Sequence, residues 1–492
     1  MTRCAVALVL AACLLAPQAA HAQWKIGGET ISRQDIERAK TLWVVGSEVF
    51  NPDEIPDISR ALRQTYGVVD DERLGSHLNG IVSRLQSSWH EAPVPVRVFV
   101  TPDPAYRAFA TGDGGIVIAA GMLNSMESED EVAALLAHEY AHLLLGHDAS
   151  SVLQMISRKF SGAAEVYLGM RHGEFQGDPS TALVRDLMAR QVVAESVQTG
   201  LAPARSRRDE NSADALAVDL LVAAGYNPVG MVTMLERMQV WEAREQERKE
   251  ENEHRQATLQ AVVTAHATST KIGGSSQDSR NKLIATGIEG AFGAIGRGIK
   301  RLRRAHDTAE KRVDNVLDHL DSAHPDHERP ALAPLPWAGD TRVASLLAAV
   351  EEVDQLARTL EQNDAAHAAP LAERVRLGPA SSTAYARQIL LHALRSPARE
   401  WDAVAMRELQ QPDSLFQTHF MVLDRLADRR SQNAVEALEI SRRSLDNSDE
   451  LLPYSIRIHR RSGNREHVDQ DALRCRATGK EGLQQMCQMA MP

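Results

Sequence analysis

Residues 129–147 read EDEVAALLAHEYAHLLLGH. From Val132 to Leu145 every residue is Ala, Leu or Val except His138, Glu139, Tyr140 and His142. Three acidic residues open the stretch, where a helix dipole favours negative charge. This is the signature of a strong helix. Residues four apart on a helix project from one face, one turn apart. His138 and His142 therefore present two imidazoles to one point, as a single zinc ion requires. Glu139 lies beside that face, placed to take a proton from a metal-bound water. Such a spacing also arises by chance, but rarely inside an otherwise apolar helix.

His147 limits the class of site. Nine residues after His138, at about 100° per residue, it falls on the opposite side of a continuous helix. It reads as solvated or structural, so the third ligand comes from elsewhere. A metzincin would carry Gly three and His six residues after His142, but Leu145 and Asp148 stand there. The segment RDENSAD (208–214) offers a partner. Glu210 and Asp214 are again four apart on one helix face. Glu210 would complete a His₂Glu set with an open fourth position. Asp214 would accept the free N–H of a ligand histidine and fix its tautomer. Asp209 and Asp219 compete by composition but lack the paired spacing.

HExxH at 138–142, ExxAD at 210–214 and the AGYNP that follows resemble the gluzincin peptidases that include the CAAX prenyl proteases, HtpX and BepA. The resemblance covers roughly residues 65–330, with Tyr66–Asp71 like the family's opening and Ala108-Phe109-Ala110 like its strand before the active-site helix. It implies a zincin-like metallopeptidase domain binding one zinc ion through His138, His142 and Glu210, with Glu139 as general base. It also implies that Gly114, Gly115, Ile116, Val117 and Ile118 pair with an extended substrate as an added strand, although a plain core strand reads as well. The family places an Arg six residues after a His-Pro histidine. Here His324-Pro325 is followed by Arg329 at five. On that reading His324 lies near the zinc, steadying the oxyanion or capping the metal at rest, with His327 as a rival. Arg107 stands where the family often has Asn.

The prenyl proteases and HtpX span membranes. Here the only long apolar stretch, CAVALVLAACLLA after MTR, is too short to span. With Ala20-His21-Ala22 after it, residues 1–22 read as a signal peptide for periplasmic export; Leu10–Cys13 also fits a lipoprotein box, which would anchor the chain at Cys13. The resemblance is therefore nearest the soluble periplasmic BepA-like branch. Removing Arg3, the one charge in that leader, takes the net charge from −11 to −12, which argues against nucleic-acid binding. Cys475 and Cys487 are the cysteines that remain. In an oxidising compartment they are expected to pair, closing a loop worth about 3 kcal/mol; two free thiols are the alternative.

With aromatics at only 4% and few strand signals, the expected fold is mainly α with a small β-sheet. The expected layout is a signal peptide (1–22), a metallopeptidase domain (23–334) and an α-helical interaction domain (335–492). In the last, Arg429-Arg430-Ser431 recurs as Arg460-Arg461-Ser462, which hints at a TPR-like helix-pair repeat, with a plain bundle as the alternative. Residues 240–321 read as an inserted helical region. Within it, 281–304 carries an apolar stripe from Ile284 to Leu302, interleaved glycines and a basic end. It packs on the protease domain, covers the zinc as a lid, or lies on an anionic membrane.

The expected function is zinc-dependent endoproteolysis. By resemblance, the substrates are unfolded or misassembled envelope polypeptides, and the helical domain contacts the outer-membrane assembly machinery. A client-binding protein with a latent or structural zinc site, and a cell-wall amidase, are the rival readings.

Overall fold

The computed structural model describes residues 24–26, 29–31, 58–89, 94–112, 114–147, 206–241, 243, 308–328, 330–362, 364–394 and 398–491. The signal peptide, the 281–304 stripe and Arg329 lie outside them. The described residues open on an antiparallel pair of short strands, β1 (Trp24–Ile26) and β2 (Glu29–Ile31). A single turn, α1 (Ser59–Leu62), precedes α2 (Glu72–Ser88). The Asp71 carboxylate caps α2 by accepting from the Arg73 and Leu74 amides. The helix buries Leu74, Leu78, Ile81, Val82 and Leu85, a stripe at helical spacing.

The sheet follows, with β3 (Arg97–Thr101), β4 (Ala108–Ala110) and β5 (Gly115–Ala119) in the order β3-β5-β4. β5 runs parallel to β3 and antiparallel to β4, and every residue of it is buried. Its backbone groups are therefore used on both sides. Gly115–Ile118, expected to receive substrate as an added strand, forms instead the middle of the sheet, where no further strand can pair. Gly114 makes the left-handed turn before it (φ 86°).

α3 (Ala120–Ser125) leads into α4 (Glu129–Leu144). Ser128 caps α4, and every residue from Asp130 to Leu144 is buried. α4 packs along α5 (Arg207–Ala224), which begins in a reciprocal cap between Ser206 and Asp209. α5 ends at Gly225 in the left-handed conformation (φ 72°), its last carbonyls held by Arg84 from α2. The AGYNP turn then does structural work. The Asn227 amide donates to Asp130 on α4, and its side chain donates to the Pro330 carbonyl. A further helix, α6, spans 229–241.

α7 (Ala309–Ala323) contributes Val316 and Leu320 to the same apolar core. Residues 309–321, read as part of an insertion, are thus built into the domain. α8 (Thr341–Glu361), α9 (Ala365–Leu377) and α10 (Ala384–Ala393) continue that core as far as Ile389. A second core starts at Leu391 and gathers α11 (Ala398–Leu409), α12 (Phe416–Asp428), α13 (Ala434–Ser444), α14 (Leu452–Arg461), α15 (Arg465–Ala477) and α16 (Glu481–Ala490). The repeated Arg-Arg-Ser triplets both lie at helix ends but two residues out of register: the first residue of one, Arg429, caps α12, whereas the last of the other, Ser462, caps α14. A disulfide joins Cys475 to Cys487. The two cores are tied through the segment after α1. Arg63 donates to the Ser414 carbonyl and the Ser444 hydroxyl, and the Phe416 amide donates back to the Arg63 carbonyl. Among the described residues no helix is long and apolar enough to cross a membrane.

Candidate metal centre

α4 and α5 lie side by side, and their facing turns bring His138, His142 and Glu210 together. The Nε2 atoms of His138 and His142 are 3.1 Å apart. Each also lies 3.6 Å from a Glu210 carboxylate oxygen. All three side chains are buried. Three donor atoms of this kind, converging away from water, form a set that can hold a metal ion.

Each imidazole is braced on its far side. His138 Nδ1 lies 2.9 Å from Asp214 Oδ1. Asp214 is gripped in turn by Arg312 of α7, whose Nε and Nη2 reach its two oxygens at 2.8 and 2.7 Å. Arg312 Nη1 is also 3.3 Å from Glu210. Burial works against the Asp214 charge, but the Arg312 guanidinium, with help from His138, overrides it and holds the carboxyl at about 2. Burial likewise opposes the Arg312 charge, yet its carboxylate neighbours raise its pKa further.

Glu139 is buried on the sheet side of α4. Its Oε2 accepts a hydrogen bond from the Ala110 amide of β4 at 2.8 Å. The Ala119 amide of β5 donates to the Arg107 carbonyl, and the Thr111 amide donates to the Gly115 carbonyl of β5, so these facing residues are hydrogen-bonded pairs. By the antiparallel alternation, Phe109 also faces β5, and the backbone groups of Ala108 and Ala110 point to the outer edge. Among the described residues no strand pairs with that edge.

His324 is not brought to this cluster. It forms the C-cap of α7, and its Nε2 lies 2.6 Å from Asp219 Oδ1, which His319 Nε2 also approaches at 2.9 Å. Both contacts have hydrogen-bond length, and together they fasten the end of α7 to α5. Asp219 keeps its charge below the usual carboxylate range: burial opposes it, but the two imidazoles prevail. His327 lies in the turn after His324. The arginine at the site is Arg312, which sequence reading missed. Six residues before it stands His306, the spacing that the resemblance describes, with Asp307 in place of Pro. His306 lies outside the described residues. The six-residue count, applied to HDTAEKR as well as to the segment after His324, would have found the pair.

An HExxH helix beside a small sheet, with a glutamate supplied by a second helix, defines a zincin-like metallopeptidase domain. The chain belongs to peptidase family M48, whose family model matches residues 71–329. It is 24% identical to the "Beta-barrel assembly-enhancing protease" of Escherichia coli (strain K12) over 186 residues, 36% of this chain and 35% of that one. It is 30% identical to a "Protease HtpX homolog" of Desulforapulum autotrophicum over 172 residues, 32% of this chain and 53% of that one. It is 26% identical to the "Metalloprotease LoiP" of Escherichia coli (strain K12) over 161 residues, 33% of this chain and 58% of that one. The chain thus matches about a third of the length of the assembly-enhancing protease and somewhat over half of the other two.

Proposed function

We propose that the protein is a periplasmic zinc-dependent endopeptidase acting on unfolded or misassembled outer-membrane polypeptides. The carrying observation is the spacing of the donor atoms. A tetrahedral ion with bonds of about 2.0–2.2 Å sets its ligand atoms roughly 3.3–3.6 Å apart. The His138 and His142 Nε2 atoms are 3.1 Å apart, slightly inside that spacing, and Glu210 sets one oxygen 3.6 Å from each, Oε2 from His138 and Oε1 from His142. His138, His142 and Glu210 would hold the ion, leaving its fourth position open. A zinc ion held there would polarise a scissile carbonyl and acidify a water molecule. Glu139 takes that water's proton and returns it to the leaving amine. The Ala110 amide orients its carboxylate, which places the base beside the free edge of β4. An extended polypeptide adds to that edge through the outward groups of Ala108 and the Ala110 carbonyl, the Ala110 amide being held by Glu139. Such a mode reads backbone rather than side chains and suits unfolded segments.

Export is supported by the leader-like N-terminus and by the Cys475–Cys487 disulfide, which belongs to an oxidising compartment. The outer-membrane substrates rest on the name of the assembly-enhancing relative, which refers to β-barrel assembly. Contact of the C-terminal helices with assembly machinery is proposed on the same footing, and membrane contact of 281–304 on its apolar stripe and basic end.

The test is casein digestion by the full chain and its Glu139→Gln variant, with metal content measured on both. The expected result is equal zinc and at least a ~10²-fold slower cleavage by the variant. Cleavage by neither protein with zinc bound, or by both equally, would overturn the reading.

A further inference from the structure

His147 sits apart from the expected ligands, yet the structure brings it back to them. α4 stops at Leu144, and Gly146 takes the left-handed conformation (φ 65°). The Gly146 amide donates to the Leu143 carbonyl, and the His147 amide donates to the His142 carbonyl at 3.0 Å. This paired closure at a helix C-terminus reverses the chain. The reversal carries the His147 ring over the last turn, beside His142 and not opposite it. Their Nδ1 atoms are 2.9 Å apart, and the ring centroids 5.1 Å. On its far side His147 Nε2 lies 3.8 Å from Asp209 Oδ1, an ion-pair distance. The His147 side chain is only 13% exposed, and His142 is fully enclosed.

From this geometry we infer that His147 is a positioning residue for the metal centre, acting through His142. The inference rests on the metal-binding reading proposed above. If His142 offers its Nε2 lone pair to a metal, its one ring proton sits on Nδ1. The atom 2.9 Å from that Nδ1 is His147 Nδ1, which must then be the acceptor. The His147 proton consequently lies on Nε2, facing the Asp209 carboxylate. Tautomer and orientation are thus set along a line of three side chains, Asp209, His147 and His142. His138 is braced differently, by Asp214, which Arg312 grips in turn. The two histidine ligands therefore have unlike supports: a buried, arginine-gripped carboxylate behind one, a neutral imidazole behind the other. A partner of this kind fixes ring orientation and ligand basicity, and losing one typically weakens metal binding 10–100-fold.

The experiment measures zinc affinity of the full chain by chelator competition, with the melting temperature of the metal-free protein recorded alongside. Three variants are compared with wild type: His147→Ala, His147→Gln, which keeps an acceptor, and His147→Phe, which fills the space without one. The expected result is a ~10–100-fold loss of affinity for Ala and Phe and near wild-type affinity for Gln. Should the Ala variant fail to fold, Gln against Phe decides. Equal affinity in Gln and Phe, or wild-type affinity in Ala, would overturn the role. A wild-type chain that binds no zinc would instead sink the metal-binding reading itself, so the two failures are distinguishable.

Discussion

At the scale of the residue, the centre depends on charge held out of water. Arg312 faces Asp214 and Glu210, and all three are buried. Removing one partner of such a group leaves uncompensated charge, which costs about 3–5 kcal/mol. Arg312→Ala is therefore expected to lower stability by that order in urea unfolding and to weaken metal binding, although Arg312 touches none of the expected reacting atoms. Asp214 adds a pH dependence. Its carboxyl ionises at about 2 in the folded chain against 3.8 when free. A depressed folded value stabilises the native state above 3.8, and that contribution is lost as pH falls from 3.8 through about 2. Unfolding measured across this window should show the loss in wild type and a flatter response in Arg312→Ala. The legible part of the centre is its local part. His138/His142 and Glu210/Asp214 could be read because four-residue spacing states a shared face without any tertiary knowledge. Arg312 could not be read that way, because it meets Asp214 across 98 residues and carries no local period. His324 matched the His-Pro pair with its arginine one residue short, and only the packing of α7 shows that Asp219 is its neighbour.

Elements are governed by where helices stop and how closely their backbones approach. Gly230 lies against the first turn of α4. A Cβ there would stand 2.4 Å from the Asp130 carbonyl oxygen, which belongs to backbone and cannot swing aside. Gly230→Ala should destabilise the protein by roughly 1–3 kcal/mol or more, seen as a lower melting temperature with the metal-binding residues untouched. AGYNP is likewise a turn in which Gly225 ends α5 against Arg84 of α2 and Asn227 ties it to α4. An apolar run with an acidic start made α4 legible in sequence, and a four-residue carboxylate spacing the start of α5. The role of β5 was not, because GIVIA reads alike as an edge or a central strand, and only pairing with both β3 and β4 decides. His147 was misread for a different reason: its position was extrapolated along a helix that Gly146 ends.

Across the whole molecule, two apolar cores meet inside α10, with Ile389 in one and Leu391 in the other. The boundary drawn from sequence at 334/335 follows the last peptidase motif, whereas the first core continues through Val343, Leu347, Val350, Val353 and Leu356 of α8. A chain ending at 334 would uncover that surface. It is expected to be aggregation-prone or to melt well below the full chain, whereas a chain ending after α10 should keep its first core covered. Thermal melts and size-exclusion profiles of the two truncations check this. Composition and helix periods announced a helical C-terminal half, but the partner of each apolar face is a tertiary fact that no local pattern states.

The sharing of α10 also bears on how such a protein can be inherited in pieces. A recombination seam at the end of the peptidase motifs would separate α8 from α3, against which it packs, and both fragments would arrive with open faces. Lineages that exchange the C-terminal helices for others would have to retain α8 to α10 with the peptidase, or evolve a substitute cover at the same moment. The expected unit of exchange is therefore the six helices that begin beyond Leu391, and the helices before it should travel with the metal centre.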